Sequence, residues 1–273
     1  MLLAIDQGNT NTVFALLDGA RVVRKWRIST DERRTADEYM VWIAALLDVA
    51  GISPQSVDAA ILATVVPQGQ FNLVLLCRRY FRVEPLIIGD PAVELAVAVR
   101  VRDPAEVGAD RLVNAVAAQA LYGGPLVIVD FGTATTFDVI DADGGYLGGV
   151  ISPGINLSLK ALHEAAAKLP RIAIEAPPDD AVLGRSTLEA MRSGVFWGYV
   201  GLIDGIVARL KAEQGRDMRV IATGGLAKIF AGRLEAIDEV DFDLTITGLR
   251  LIHERNRHRR RAPEPEDGAS DGT

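Results

Sequence analysis

Short apolar runs alternate with longer segments of helical period along most of this chain. Runs at 2–6, 12–17 and 21–28 have the length of strands. After Thr35, the residues Tyr39, Trp42, Ile43, Leu46 and Leu47 recur at helical spacing and predict an amphipathic helix. Ala59 to Val66 is a continuous apolar stretch that ends at Pro67, the mark of a parallel strand buried on both faces. A helix over 68–80 and a strand from Pro85 to Ile88 follow. The loop from Arg102 to Arg111 then leads into a long helix rich in Ala and Val. That helix stops at Gly123-Gly124-Pro125, a strong termination signal.

The same order then returns. Strands at 126–130 and 135–140 precede a glycine-rich stretch from Gly144 to Gly154. Helices are predicted at 155–166, 186–213 and 226–230, with a strand from Arg219 to Thr223 and a closing helix from Leu244 to Arg255. From Arg257 onward a basic cluster and a run of Pro, Gly, Ser and Asp predict a disordered, solvated tail over 257–273. Strand and helix in alternation give an α/β chain. The stop at Gly123 divides it into halves at 1–122 and 123–256.

The two halves open on one grammar. The first reads Leu3-Ala4-Ile5-Asp6-Gln7-Gly8-Asn9-Thr10-Asn11-Thr12-Val13-Phe14 and runs on to Asp18-Gly19. The second reads Val127-Ile128-Val129-Asp130-Phe131-Gly132-Thr133-Ala134-Thr135-Thr136-Phe137 and runs on to Asp143-Gly144. A strand that delivers Asp at its C-terminal end puts a carboxylate at the mouth of a sheet, where open α/β sheets bind ligands. Glycine two residues later lets the backbone turn sharply or approach a ligand. The Asn and Thr that follow, with the loop N–H groups, can face phosphate oxygens. An ionised carboxylate only accepts, so beside a phosphate it needs a cation or a water between them. The alternative is a pair of β-hairpin turns that happen to contain Asp and Gly. The repetition favours two related halves that grip a nucleotide and its metal.

Composition narrows the picture. The 36 acidic and 29 basic residues give a formal net charge of −7, which argues against a nucleic-acid surface. It leaves a local phosphate site possible. A single cysteine, Cys77, rules out an intramolecular disulfide, and its apolar neighbourhood predicts a buried thiol. There is no CxxC motif or histidine cluster for zinc. No basic leader precedes the first strand, and no apolar run approaches the length of a membrane span, so a cytoplasmic protein without membrane contact is expected.

A second focus lies between the repeats. Gly108-Ala109-Asp110-Arg111 sits at a loop-to-helix junction, where unpaired N–H groups favour an anion. Arg111 offers a forked donor suited to a carboxylate, and Asp110 can take a proton from a hydroxyl within hydrogen-bond reach. An N-capping Asp beside a solvated Arg is the plainer alternative.

Asp6-Gln7-Gly8-Asn9-Thr10, Gly108-Ala109-Asp110-Arg111, Asp130-Phe131-Gly132-Thr133-Ala134-Thr135-Thr136, Gly149-Val150-Ile151-Ser152-Pro153-Gly154 and Thr223-Gly224-Gly225 occur here in one order. With them the chain closely resembles the type III pantothenate kinases over residues 1–255. That family belongs to the acetate-kinase, sugar-kinase and actin-like ATPase superfamily. The resemblance implies two duplicated actin-like, ribonuclease H-like domains around a nucleotide cleft. It also implies transfer of the ATP γ-phosphoryl group to pantothenate, the first step toward coenzyme A. Asp6, Gln7, Gly8, Asn9, Thr10, Asn11, Thr12 and Val13 then correspond to the first phosphate loop, with Asp6 organising Mg²⁺ and Thr133 contacting ATP. Asp110 corresponds to the proton acceptor. Gly108, Ala109, Asp110, Arg111 and Thr187 correspond to the pantothenate contacts, and Asp130 to the ligand of K⁺ or NH4⁺. A homodimer that completes the site is also implied. In one respect the chain departs from the pattern: Val101 stands where many relatives carry a tyrosine in the pocket wall.

Overall fold

The computed structural model describes residues 1–165, 169–230 and 232–257. The predicted tail, apart from Arg257, lies outside the described residues. The first half contains β1 (Leu2–Gln7), β2 (Asn11–Asp18), β3 (Arg21–Ser29), α1 (Ala36–Val49), β4 (Ala59–Thr64), α2 (Pro67–Leu76), β5 (Pro85–Ile87) and α3 (Ala109–Tyr122). The second contains β6 (Leu126–Phe131), β7 (Ala134–Ile140), β8 (Tyr146–Pro153), α4 (Ile155–Ala165), α5 (Thr187–Gln214), β9 (Arg219–Thr223), α6 (Ala227–Phe230), β10 (Glu239–Val240) and α7 (Leu244–Asn256).

The strands form two five-stranded sheets, ordered β3-β2-β1-β4-β5 and β10-β9-β6-β7-β8. With β6 taken as the counterpart of β1, the two orders are the same, so the duplication read in the motifs extends to the sheets. In each, the strand bearing the Asp runs parallel to one neighbour and antiparallel to the other.

Most elements fall within a residue or two of expectation. Thr35 caps α1 through a reciprocal box with Glu38, which satisfies donors the helix start would leave open. Two differences matter. The helix expected over 68–80 changes to a π-turn at Cys77–Phe81. The glycine-rich stretch forms β8, in which Tyr146 and each residue from Gly148 to Pro153 pair antiparallel with β7.

Each sheet packs an outer face against its own helices. Leu3, Ile5, Phe14 and Leu16 meet Tyr39, Ile43 and Leu73 in the first half; Val127, Val129 and Phe137 meet Phe196, Tyr199 and Ile203 in the second. The inner faces share α3, which has Val113 and Val116 in the cluster of the first sheet and Leu112 and Ala115 in that of the second. The closing helix α7 crosses back: Ile246, Leu249 and Ile252 pack with Leu2, Ala4 and Ile61 on the first sheet. The cleft between the sheets is therefore floored by α3 and braced by α7.

Candidate active site

The two loops meet across the cleft. Thr10 Oγ1 and Thr133 Oγ1 lie 2.7 Å apart, one from each repeat. Each loop is held by the end of its own third strand: Thr30 donates its N–H to the Thr10 carbonyl, and Gly154 donates to the Thr133 carbonyl. In the first loop Thr30 also donates its hydroxyl to the Gly8 carbonyl and pairs with Thr12 Oγ1.

Within the first loop the residues divide by where they point. Asn9 and Thr10 are exposed to the cleft, and Gly8, Asn11 and Val13 are half-buried. The side chains of Gln7 and Thr12 are buried. Gln7 accepts from Thr64 Oγ1 at 2.7 Å and fills the space left by the absent side chain of Gly69. Its side chain therefore braces the loop from behind.

Three carboxylates converge between the loops. Burial and the charges of Asp110 and Asp130 push Asp6 from 3.8 up to about 7, against the pull of Arg27. Burial and the charge of Asp110 push Asp130 up to about 7 as well, opposed by a hydrogen bond from Asn114. Burial also raises Asp110, while the Arg111 backbone N–H and guanidinium pull it back. Like charges gathered in a desolvated place stay ionised only if a cation joins them. Among the described residues no three His, Cys, Asp or Glu side chains stand close enough to hold a metal by themselves. A cation here would complete its shell with phosphate oxygens, carbonyls or waters, the usual habit of Mg²⁺.

Asp130 is the more tightly oriented of the pair. Asn114 Nδ2 donates to its Oδ2 at 3.0 Å, and Asn114 is itself fixed by the Thr245 hydroxyl at 2.7 Å. The other oxygen faces Gly224, which has φ +92° and sits where a Cβ would lie 2.6 Å from Asp130 Oδ1. Only glycine fits that turn, so the third glycine-rich loop closes directly over the second carboxylate.

Asp110 lies in the first turn of α3, behind Gly108 as the capping residue, so it is not itself the cap. Its Oδ1 accepts from the Arg111 N–H at 2.8 Å. The Arg111 guanidinium folds back onto Asp138, with Nε donating to Oδ1 at 2.8 Å and Nη2 at 2.7 Å from the same oxygen. Tyr146 donates to that oxygen at 2.7 Å, and its ring lies under the guanidinium. The buried Nη2 has no partner of hydrogen-bond geometry, so it keeps donor capacity for a ligand. Gly149 leaves the room: a Cβ there would be 2.8 Å from Nη2.

Sequence reasoning missed Asp138, Tyr146 and Asn114. Each is a polar residue at an inward position of a strand or helix that otherwise reads as core, and that break in the apolar pattern was the available signal. Val101 packs in the same cluster as Tyr146 and faces Gly148. A tyrosine therefore does stand near that wall, but its hydroxyl is committed to Asp138. Thr187 opens α5, exposed, and among the described residues no hydrogen bond joins it to Asp110 or Arg111.

Comparison with known proteins fits this geometry. The family model for type III pantothenate kinase matches residues 2–209. The chain belongs to that family. It is 59% identical to the type III pantothenate kinase of Caulobacter vibrioides over 94% of this chain and 98% of the relative. It is 60% identical to that of Paramagnetospirillum magneticum over the same shares. Among solved structures it resembles a Campylobacter jejuni protein described as a Baf family transcriptional activator, at 21% identity and a TM-score of 0.59, covering 94% of this chain and 99% of that one. A Streptomyces griseus ROK family glucokinase aligns at 12% identity and a TM-score of 0.51, covering 94% and 99%. These structures share the fold: two duplicated actin-like α/β domains.

Proposed function

We propose that this chain transfers the γ-phosphoryl group of ATP to the primary hydroxyl of pantothenate, giving 4′-phosphopantothenate on the way to coenzyme A. The observation that carries the reading is the position of Asp110. It stands at the start of α3, in electrostatic contact with both loop carboxylates and next to an arginine locked by Asp138. Phosphoryl transfer passes through a loose transition state, so positioning and charge compensation do most of the work. Asp110 orients the acceptor hydroxyl and takes its proton late, through the oxygen that Arg111 N–H leaves open. Arg111 Nη2 offers its remaining hydrogen to the pantothenate carboxylate, and Gly108 and Ala109 present the helix start to it.

Asp6 to Val13 and Thr133 hold the phosphates. Asp6 would hold Mg²⁺ together with the triphosphate, and Asp130 would hold K⁺ or NH4⁺; both cations would offset the charge that the three carboxylates otherwise concentrate. The halves at 1–122 and 123–256 act as the two jaws, with α7 crossing back to the first. Thr187 belongs to the pantothenate site of a homodimer. Supporting a homodimer are the exposed Leu157 and Leu162 on α4 and Leu188 on α5, and a cavity of 330 Å³ lined by residues of both helices. Among the described residues no helix is long and apolar enough to cross a membrane. Purified protein with ATP, Mg²⁺, K⁺ and pantothenate is expected to form 4′-phosphopantothenate and ADP; a folded dimer that forms neither defeats the proposal.

A further inference from the structure

We infer that Arg27 is a phosphate-binding residue of the cleft, reaching from the outer strand of the first half to the terminal phosphate of the bound nucleotide during transfer. Strand register places it there. Asp6 pairs with Val13, and Val13 pairs with Arg27, so the three residues form one row across β1, β2 and β3. Paired residues of adjacent strands project on the same face. Arg27 therefore shares the face from which Asp6 enters the cleft, the face turned toward the second half.

Its guanidinium extends to the other jaw. A Cβ built on Gly225 would lie 3.7 Å from Nη1 and 4.0 Å from Nη2. The charge thus spans from the first carboxylate to the third glycine-rich turn, which itself closes over Asp130. The neighbouring cations are already engaged. Lys25, on the same strand and face, pairs with Asp243, and Arg111 pairs with Asp138. Arg27 is exposed and has no hydrogen bond or ion pair among the described residues.

Charge compensation gives the arrangement its meaning. Asp6, Asp110 and Asp130 already crowd the cleft with negative charge, and a triphosphate adds more. Among the cleft groups, Arg27 is the cation that lowers Asp6, so its field acts where the phosphates must lie. A guanidinium presents a rigid fork of donors to phosphate oxygens and is more weakly hydrated than an ammonium, which suits a site that closes. Because Arg27 belongs to one jaw and Gly225 to the other, phosphate bound between them would also draw the jaws together.

The inference rests on the kinase reading, and the experiment separates the two. Wild type, Arg27→Gln and Arg27→Lys are compared by steady-state kinetics, by calorimetric titration with Mg²⁺ and the β,γ-imido analogue of ATP, and by melting temperature. Arg27→Gln is expected to lower kcat by about 10²–10³-fold, to weaken binding of the imido analogue at least tenfold, and to leave the KM for pantothenate and the melting temperature unchanged. Arg27→Lys is expected to recover part of both losses. Arg27→Gln within threefold of wild type in kcat and in analogue binding overturns the inference. So does a loss of rate that follows a lowered melting temperature. A wild-type enzyme with no activity toward pantothenate but with analogue binding dependent on Arg27 overturns the substrate assignment and leaves the phosphate contact standing.

Discussion

The two halves share a topology, and their differences show how the labour is divided. The second hairpin is one residue tighter: Asp6 pairs with Val13, whereas Asp130 pairs with Thr136. Structural equivalence therefore runs Phe14 to Phe137 and Ala15 to Asp138. The first pair is conservative, with both rings fully buried on the outer faces. The second is not. Ala15 packs in the apolar cluster beneath α3 and α7, while Asp138, also fully buried, holds Arg111 and Tyr146. On the third strands, Arg27 faces Val13 and Ile151 faces Thr136, so an open cation in one half answers to an exposed isoleucine in the other. On the proposed reading, Arg27 would give the first half a cation for the phosphates, and Asp138 and Tyr146 of the second half would back the acceptor-side Arg111.

The strongest break of this scheme acts at α3, where the halves meet. Asp110→Asn is expected to lower kcat by about 10²–10⁴-fold with the melting temperature retained. Near-normal turnover would remove Asp110 from its role and leave the two jaws without an acceptor side.

That residue stood out in the sequence as a candidate because Gly108-Ala109-Asp110-Arg111 opens a helix and matches the family's motif, although an N-capping Asp fits the same four residues. The same holds for Asp6 and Asp130, which end apolar strands and precede glycines. Arg27 and Asp138 were not legible, for opposite reasons. Arg27 looks like an ordinary solvent-facing residue of an outer strand, and only the register with Asp6 reveals its face. Asp138 sits in a run that otherwise alternates as core, and its partner Arg111 comes from the other half. Sequence periodicity reports which face a residue occupies within one element, but not what another element brings to it. The path of α7 was likewise hidden, since its apolar spacing fits either sheet equally well.

The division between Asp6 and Asp130 is sharpened by parallel replacements. Asp6→Asn is expected to reduce kcat about 10²–10³-fold and to raise the Mg²⁺ concentration needed for half-maximal rate. Asp130→Asn is expected to cost about 10–100-fold and to abolish the advantage of K⁺ over Na⁺. Metal titrations of both variants decide the matter: if both lose response to the same ion, the two repeats are functionally equivalent.

Asp138 tests the second half's wall. Replacing it with Ala leaves the Arg111 guanidinium, only 15% exposed, without its carboxylate. Loss of one partner of a buried ion pair costs about 3–5 kcal/mol, here reduced by the partial exposure of Arg111. Denaturant unfolding measures that loss, and the KM for pantothenate should rise with it. Ala15→Asp, the reciprocal change, should destabilise without creating any new affinity. A stable Asp138→Ala protein with unchanged KM would show that Arg111 needs no such support.

A further test is a pH dependence shared by both halves. Asp6 and Asp130 carry pKa values near 7 in the folded chain without cations, against 3.8 for an ordinary Asp. The folded state therefore binds these protons more tightly than the unfolded state. Stability falls with rising pH wherever the folded state holds the extra proton, here between about 4 and 7. The contribution is complete below about 4 and is lost as pH climbs through 7. The unfolding midpoint of the metal-free protein, taken relative to an Asp6→Asn/Asp130→Asn double variant to cancel all other titrations, should accordingly fall between pH 5 and pH 8. Mg²⁺, K⁺ and nucleotide favour the ionised carboxylates and should flatten or reverse that slope. If the slope persists unchanged when the cations are bound, the two aspartates are buried acids with no metal role, and the equivalence of the repeats reduces to their fold.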